Sequence, residues 1–227
     1  MQNNEQKLAD SWIINADAWT ESVRLQQIES RKVATDRVAI EAIIARNPKK
    51  VLDIGCGEGW LSRAVSNFGI EVVGIDGSDK LIDYANAEGG AQFIHLNYEQ
   101  LVANPEQVGR NYDVVICNFS LLSEELSPLL RTLSSVLSNE GVIMIQTLHP
   151  FNVQDEPYED GWREETFKGM GEGYSSSMPW YYRTMGSWLR EVESAGLRLV
   201  DIKEPLNPKS GKPFSLLMTT AKNTLLS

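Results

Sequence analysis

Short apolar runs alternate with stretches of helical periodicity along most of this chain. The runs predict strands at 50–54, 71–75, 91–96, 113–117 and 142–147. Between them, the spacing of apolar residues predicts helices at 61–68, 80–87, 101–108 and 128–137. Strands that alternate with helices indicate parallel βαβ units. Because the strands are apolar throughout, we expect helices to cover both faces of the sheet.

The two ends of the chain depart from this alternation. Residues 10–46 read as helices, which end at Asn47–Pro48 because a residue before proline avoids helical geometry. A loop-rich insert at 148–185 precedes a helix at 186–195 and strands at 197–202 and 214–220. The link between these two strands is too short for a helical crossover, so they should form an antiparallel hairpin.

Length and composition indicate one α/β domain over 1–227, with a helical cap at 1–47 and an aromatic insert at 148–185. The net charge is −10 and no basic stripe is visible, which disfavours a nucleic-acid substrate. The apolar runs are shorter than the ~20 residues of a spanning helix, and the first residues lack a signal-peptide layout. We therefore expect a cytoplasmic protein without a membrane segment; its oligomeric state stays open.

The cysteine and histidine content is low. Cys56 and Cys117 are the only cysteines, which favours free thiols in a reducing compartment. His95 and His149 are the only histidines, and the cysteines and histidines show no zinc-ligand spacing. We therefore expect no metal site.

Glycines cluster where the first predicted strand ends, in the segment DIGCGEG at 53–59. They permit a tight turn and a close approach of ligand to backbone. The dinucleotide fingerprint GxGxxG would need glycine where Trp60 stands, because the third glycine comes one position early, at Gly59. Asp53 and Glu58 would also repel a pyrophosphate. The loop thus disfavours a dinucleotide, and a purely structural turn is the plain alternative.

Asp76 ends the second predicted strand. In a doubly wound sheet, an acid at this place can accept hydrogen bonds from both hydroxyls of a ribose. An Asx turn before Gly77 is the structural alternative. Together with the glycine loop, Asp76 favours ribose binding.

Five segments, in order along the chain, resemble motifs of the class I S-adenosylmethionine-dependent methyltransferases of small-molecule type. They are VLDIGCGEGW at 51–60, VVGIDGS at 72–78, AQFIHLNYEQL at 91–101, YDVVICNFSLL at 112–122 and LLRTLSSVLSNEGVIMIQTLHP at 129–150. The resemblance implies a Rossmann-like three-layer sandwich. Its seven-stranded, mostly parallel sheet would have the order 3-2-1-4-5-7-6, with the last strand antiparallel. It also implies S-adenosyl-L-methionine as cofactor, whose sulfonium and ammonium groups suit nearby carboxylates.

The resemblance assigns cofactor contacts to residues that follow the first four strands. These are Asp53, Gly55, Cys56, Gly57, Asp76, Gly77, Ser78, Asn97, Tyr98 and Asn118. Gly55 and the Asn118 carbonyl would meet the methionine ammonium, Gly57 the ribose and methionine, and Asp76 the ribose hydroxyls. Gly77 and Ser78 would lie beside the adenine.

Two further assignments come with alternatives. Asn97 stands where the family often has aspartate, and its amide oxygen can still accept from the adenine amino group, with the Tyr98 N–H nearby. In the family an arginine before the first strand often pairs with the methionine carboxylate. Arg31 is our candidate and Arg37 the alternative, while a surface salt bridge is the plain reading.

The acceptor side is less defined. The aromatic insert would form a lid over an apolar or planar substrate, a small satellite core, or both. His149 is a candidate general base, since histidines exchange protons near neutral pH; a structural histidine is the alternative. Tyr182 and Arg183 are candidates for holding a polar acceptor. The segment 118–121 lacks the diproline of amino-methyltransferases that act on bases or glutamine.

The function predicted on this basis is methyl transfer to a small-molecule acceptor by in-line displacement, which needs mostly positioning and desolvation. The alternative is a regulatory or assembly protein that binds S-adenosylmethionine without turnover. An NAD-dependent oxidoreductase is disfavoured by Trp60 and Asp53. Whether oxygen, nitrogen or carbon receives the methyl group stays open.

Overall fold

The computed structural model describes residues 3–152 and 156–223. The other residues of the predicted domain, 153–155 of the insert among them, lie outside this description. Nine strands are present in the described part: β1 Lys50–Ile54, β2 Glu71–Asp76, β3 Gln92–His95, β4 Tyr112–Asn118, β5 Leu137–Leu148, β6 Gly161–Glu165, β7 Met178–Tyr182, β8 Leu197–Lys203 and β9 Ser215–Lys222.

Seven of these strands form one sheet in the order β3-β2-β1-β4-β5-β9-β8. The first five run parallel, whereas β9 is antiparallel to both β5 and β8. Numbered within this sheet alone, the order is 3-2-1-4-5-7-6 with the seventh strand antiparallel. This confirms the predicted topology and the predicted hairpin at the sheet end.

Helices cover both faces of the sheet and cap its carboxyl end. They are α1 Asn4–Ile14, α2 Ala16–Arg24, α3 Asp36–Ile44, α4 Trp60–Ser66, α5 Asp79–Glu88, α6 Tyr98–Ala103, α7 Ser127–Val136 and α8 Met185–Ser194. A π-helical turn, Arg31–Thr35, leads directly into α3, and a 3-10 turn, Pro105–Val108, follows α6.

The strand residues alternate between two apolar layers, as period-two geometry requires. Leu52 and Ile54 pack with α6, α7 and α8, whereas Val51 packs with α3 and α4. This is the three-layer sandwich that the alternating pattern predicts. In the described part of the chain, no helix is long and apolar enough to cross a membrane.

The insert was predicted to be rich in loops, but it contains a two-stranded hairpin. Strands β6 and β7 pair in antiparallel fashion within it, and Met178 packs against Leu8 and Phe167. The hairpin was missed because Pro179 and the short aromatic run give no clear strand signal, and its support comes from the distant helix α1. Several boundaries also differ: the first helix begins at Asn4, β5 begins at Leu137, and the helix predicted at 101–108 is α6 at Tyr98–Ala103 followed by the 3-10 turn.

Candidate functional site

A cavity of about 50 Å³ lies where the carboxyl ends of β1 and β4 meet the N-terminal helices. This is the edge of an open parallel sheet at which ligands bind. Six of the residues predicted to contact a cofactor line it: Arg31, Asp53, Gly55, Cys56, Gly57 and Asn118. The remaining lining residues, to which no cofactor contact was assigned, are Trp19, Trp60, Leu61 and Phe119. Trp60 and Phe119 stand within the quoted motifs and Leu61 directly follows one, whereas Trp19 gave no signal beyond its aromatic character.

Position 55 requires glycine for two reasons, its positive φ and the close approach of neighbouring side chains. Its φ is +68°, and an added Cβ would lie 2.5 Å from Ser120 Cβ and 2.8 Å from Tyr98 Oη. Gly57 has a φ of +57°, but the nearest atom to its added Cβ is Trp19 Nε1 at 3.5 Å. Gly55 therefore allows two loops to touch, while Gly57 leaves its backbone open to a ligand.

The first loop is fastened to the loop after β4. Ser120 donates from Oγ to the Ile54 carbonyl at 2.6 Å, and Tyr98 donates from Oη to the Ser120 carbonyl at 3.0 Å. Phe119, the residue before Ser120, has a φ of +56°. This is a strained value for a bulky residue, and such strain often marks a functional site. The Tyr98 side chain thus has a structural role beside the predicted role of its N–H.

Asp76 holds the glycine loop through its carboxylate. Oδ2 accepts from the Gly57 N–H at 2.9 Å, and Oδ1 accepts from the Ser78 N–H at 2.8 Å. The second bond is the local turn that the structural alternative describes. Burial raises the pKa of Asp76, although these two N–H donors oppose the rise. Each oxygen keeps a further lone pair that can accept from a hydroxyl.

Asp53 is buried at the floor of the cavity and accepts from Ser62 Oγ at 2.7 Å. Burial raises its pKa to about 7, opposed by the Ser62 hydroxyl and reinforced by the nearby charge of Asp76. A carboxylate with so little solvation gains much from a cation placed beside it.

Glu58 does not contribute to the repulsion of an anion that was expected of it together with Asp53. Its side chain is buried away from the cavity and bonds to Arg63 Nη2 at 2.6 Å and to Arg24 Nε at 3.3 Å. Two guanidinium groups thus neutralise its charge locally. The repulsion of an anion, first attributed to Asp53 and Glu58 together, therefore rests on Asp53 and Asp76.

The structure separates the two candidate arginines. Arg37 forms an exposed pair with Glu41 one turn along α3. Arg31 lines the cavity, its Cζ lies 4.5 Å from the Trp60 ring centroid, and its Nη1 is buried with no partner among the described residues. Asn118, predicted to contribute its backbone carbonyl, lines the same cavity, and its side-chain Oδ1 is also buried and unpaired within the described ranges.

These two atoms fit opposite ends of an amino acid group. Nη1 of Arg31 can only donate and suits a carboxylate, whereas the Asn118 oxygen accepts and suits an ammonium. An unpaired buried polar atom costs about 1–3 kcal/mol, which a bound partner would recover.

The residues predicted on the adenine side have structural bonds of their own. Asn97 caps α6 by accepting from the Gln100 N–H at 2.8 Å, and Ser78 caps α5. The Gly77 carbonyl is bonded to His95 Nε2 at 3.1 Å. Their adenine contacts stay predictions.

The three candidates for the acceptor side are all buried and hydrogen-bonded, although Arg183 Nη1 is unpaired within the described residues. His149 donates from Nε2 to Glu204 Oε1 at 2.8 Å, and its Nδ1 accepts from the Phe151 N–H at 3.2 Å. The Tyr182 hydroxyl donates to the Pro150 carbonyl. The His149 side chain therefore connects the start of the insert to the loop after β8, and Tyr182 connects the two ends of the insert.

Arg183 binds the loop that follows β4. Its Nη2 donates to the carbonyls of Ser123 and Glu124 at 2.6 and 2.5 Å. Burial lowers its pKa, opposed mainly by the charge of Glu191. The roles of His149, Tyr182 and Arg183 toward an acceptor stay predictions.

Comparison with known proteins gives related sequences and related folds. A family model described as a methyltransferase domain matches residues 51–141. The ubiquinone biosynthesis O-methyltransferase of Coxiella burnetii is 29% identical over 167 residues, which cover 72% of this chain and 69% of that protein. The Aeromonas salmonicida protein of the same name is 32% identical over 105 residues, 44% of each chain.

Two solved structures share the fold over almost the whole chain. The 1,6-didemethyltoxoflavin-N1-methyltransferase of Burkholderia thailandensis superimposes with a TM-score of 0.67 at 16% identity, covering 98% of this chain and 91% of that one. The magnesium protoporphyrin IX methyltransferase of Synechocystis gives a TM-score of 0.66 at 16% identity, covering 97% and 100%. At this level of identity the likeness concerns the fold.

Proposed function

We propose that this chain, which belongs to the class I S-adenosylmethionine-dependent methyltransferases, methylates an oxygen atom of a small-molecule acceptor. Oxygen is chosen because the relatives in sequence are named as O-methyltransferases. Arg31 and Asn118 line one cavity beside the glycine loop, and each has a buried, unpaired polar atom within the described residues, which supports binding of the methyl donor most directly.

The residues around the cavity would hold S-adenosylmethionine by charge and shape. Arg31 would bind the carboxylate of the methionine part, and Asn118 with Gly55 the ammonium. The open backbone of Gly57 would lie against the ribose, and the Asp76 carboxylate would accept hydrogen bonds from the ribose hydroxyls. Cys56 completes the loop as a small buried side chain. When bound, this cofactor supplies a methyl group already activated by its sulfonium.

The same residues would exclude a dinucleotide. Asp53 is buried and Asp76 is partly buried near the loop, and a pyrophosphate placed there would meet two carboxylates with little water to screen them. A cationic ligand reverses the sign of this interaction. The chain therefore selects for the donor by electrostatics as well as by glycine spacing.

On the acceptor side, His149 would take the hydroxyl proton. Glu204 holds the Nε2–H, so the lone pair of Nδ1 is the one available, and it would exchange the long bond from the Phe151 N–H for the proton of the acceptor. Tyr182 and Arg183 would contribute by fixing the insert over the acceptor.

The cap and the insert would cover the site within one domain. Asp17 of α2 bonds to Lys80 Nζ at 2.7 Å and to the Tyr84 hydroxyl at 2.5 Å, which fastens the cap to α5. Phe167 of the insert packs on Trp12 of α1. Such a cover would exclude water during transfer. With a net charge of −10 and two free buried thiols, we place this activity in the cytoplasm and on small molecules, not nucleic acids.

Calorimetric titration with S-adenosylmethionine and S-adenosylhomocysteine tests the donor, and release of S-adenosylhomocysteine from a panel of phenols, amines and carbon acids tests the acceptor. We expect both ligands to bind with micromolar affinity and only hydroxylated compounds to be methylated. Absence of binding would overturn the proposal. Binding without turnover on any compound would favour a regulatory or assembly protein instead.

A further inference from the structure

We propose that the π-helical turn Arg31–Thr35 is a positioning device, in which Asp36 and Gln146 hold the Arg31 guanidinium ready for the carboxylate of the cofactor. This inference rests on the proposed role of Arg31 and extends it to two residues that have no contact with the cavity of their own. A π-turn within a helix is rare and often marks a functional site.

The π-turn explains how Arg31 and Asp36 meet. In an ordinary α-helix with 3.6 residues per turn, side chains five residues apart point about 140° away from each other. Here the Asp36 N–H bonds to the Arg31 carbonyl, five residues back, which places the two residues one above the other. Arg31 Nε then donates to both carboxylate oxygens of Asp36, at 3.0 and 3.3 Å.

The bond to Asp36 determines which part of the guanidinium is free. Nε is occupied by Asp36, and the planar group lies over the Trp60 ring, with Trp19 at 5.9 Å. Nη1 is thereby left buried, unpaired within the described residues, on a side chain that lines the cavity. A fixed, partly desolvated donor binds a carboxylate more tightly than a mobile one, because less conformational freedom is lost on binding.

Gln146 fastens the end of the turn to the sheet. Its Nε2 donates to the Thr35 carbonyl at 3.2 Å, and the side chain is almost completely buried at the carboxyl end of β5. Gln146 is also the register partner of Asn118 on β4. The turn that carries Arg31 is thus anchored beside the residue proposed for the ammonium, so that both ends of the amino acid group are set by one pair of strands.

The test compares two ligands that differ in the amino acid group. S-adenosylhomocysteine carries it, whereas 5′-methylthioadenosine lacks both the carboxylate and the ammonium. We expect Asp36→Ala to weaken binding of S-adenosylhomocysteine about tenfold, equivalent to about 1.4 kcal/mol, and to leave the affinity for 5′-methylthioadenosine unchanged. Asp36→Asn keeps an acceptor for Nε and should restore most of the loss. Gln146→Met, which keeps the bulk but not the donor, should show the same selectivity with a smaller loss.

Glu41→Ala is the matched control, because it removes an ion pair from the exposed side of α3 without touching the turn. It should change neither affinity, and the Asp36 variants should keep the wild-type helical content by circular dichroism. Equal losses for both ligands, or no loss for either, would overturn the positioning role. Failure of wild-type protein to bind either ligand would instead count against the proposed function.

Discussion

His149 donates from Nε2 to Oε1 of Glu204 across 2.8 Å, which joins the residue after β5 to the loop after β8. The bond fixes the tautomer and leaves the Nδ1 lone pair toward the Phe151 N–H. The arrangement serves a base that is oriented by a carboxylate, and it serves equally a histidine that only ties two loops together.

Replacement of His149 separates these two roles. If it takes the acceptor proton, His149→Ala should slow methyl transfer about a hundredfold and leave the affinity for S-adenosylhomocysteine unchanged. Glu204→Gln keeps an acceptor for the Nε2–H but removes the charge, so it should slow transfer less. Turnover is measured as S-adenosylhomocysteine released at saturating acceptor. Full turnover in His149→Ala with a lower melting temperature would leave His149 a structural role only.

Asp76→Ala should weaken cofactor binding by tenfold or more. The change removes the proposed acceptor of the ribose hydroxyls and also the bond that holds the Gly57 N–H. Asp79→Ala is the control, because this exposed carboxylate bonds only locally, to the Lys80 N–H, in the first turn of α5. Calorimetry with S-adenosylhomocysteine gives the affinities. Equal affinities for Asp76→Ala and wild type would contradict the ribose role.

Asp53 should make binding of S-adenosylmethionine depend on pH. Its pKa is raised to about 7 by burial, so the carboxylate is largely protonated at pH 6 and ionised at pH 8. A cationic ligand favours the ionised form, and its affinity should therefore rise over this interval. In Asp53→Asn the affinity should be lower and nearly independent of pH. A wild-type profile that is flat between pH 6 and 8 would contradict the assignment.

The same shift has a consequence for stability. The pKa of Asp53 in the folded chain lies above its ordinary value of 3.8, so the folded state binds the proton more tightly than the unfolded state. The contribution of Asp53 to the free energy of unfolding should fall as pH rises from about 4 to 7. Asp53→Asn should therefore stabilise the ligand-free protein more at pH 8 than at pH 5, as measured by urea unfolding.

Gly55→Ala should destabilise the protein through overlap with a neighbouring loop. The new Cβ would lie 2.5 Å from Ser120 Cβ and cannot be accommodated without moving the loop after β4. Gly69→Ala is a matched control, since Gly69 has a φ of +77° but no atom of the described chain lies within 4 Å of its added Cβ. We expect Gly55→Ala to cost about 1–3 kcal/mol more than Gly69→Ala in urea unfolding. Similar losses would mean that backbone strain alone requires glycine at position 55.

The patterns in the sequence predicted the strands and helices of the sandwich and the glycine loop after β1, and the family resemblance supplied the strand order. Apolar runs and helical spacing are local patterns that report burial directly, and DIGCGEG at 53–59 encodes its own turn. The hairpin β6–β7 was not predicted, because its short strands are stabilised by contacts with α1, which is distant in the sequence. The π-turn before α3 was not predicted either, since the apolar spacing of its residues is that of an ordinary α-helix.

The positions and partners of the predicted side chains follow from long-range packing and could not be predicted from local sequence. Glu58 pairs with Arg24 and Arg63 outside the cavity lining, whereas Arg31 lines the cavity and its Nη1 is unpaired within the described chain. These outcomes depend on contacts such as Gln146 with Thr35, which are 111 residues apart. Local sequence determines the secondary-structure element that carries a side chain. Its hydrogen-bond partners and its ionisation depend on the residues that tertiary packing places beside it.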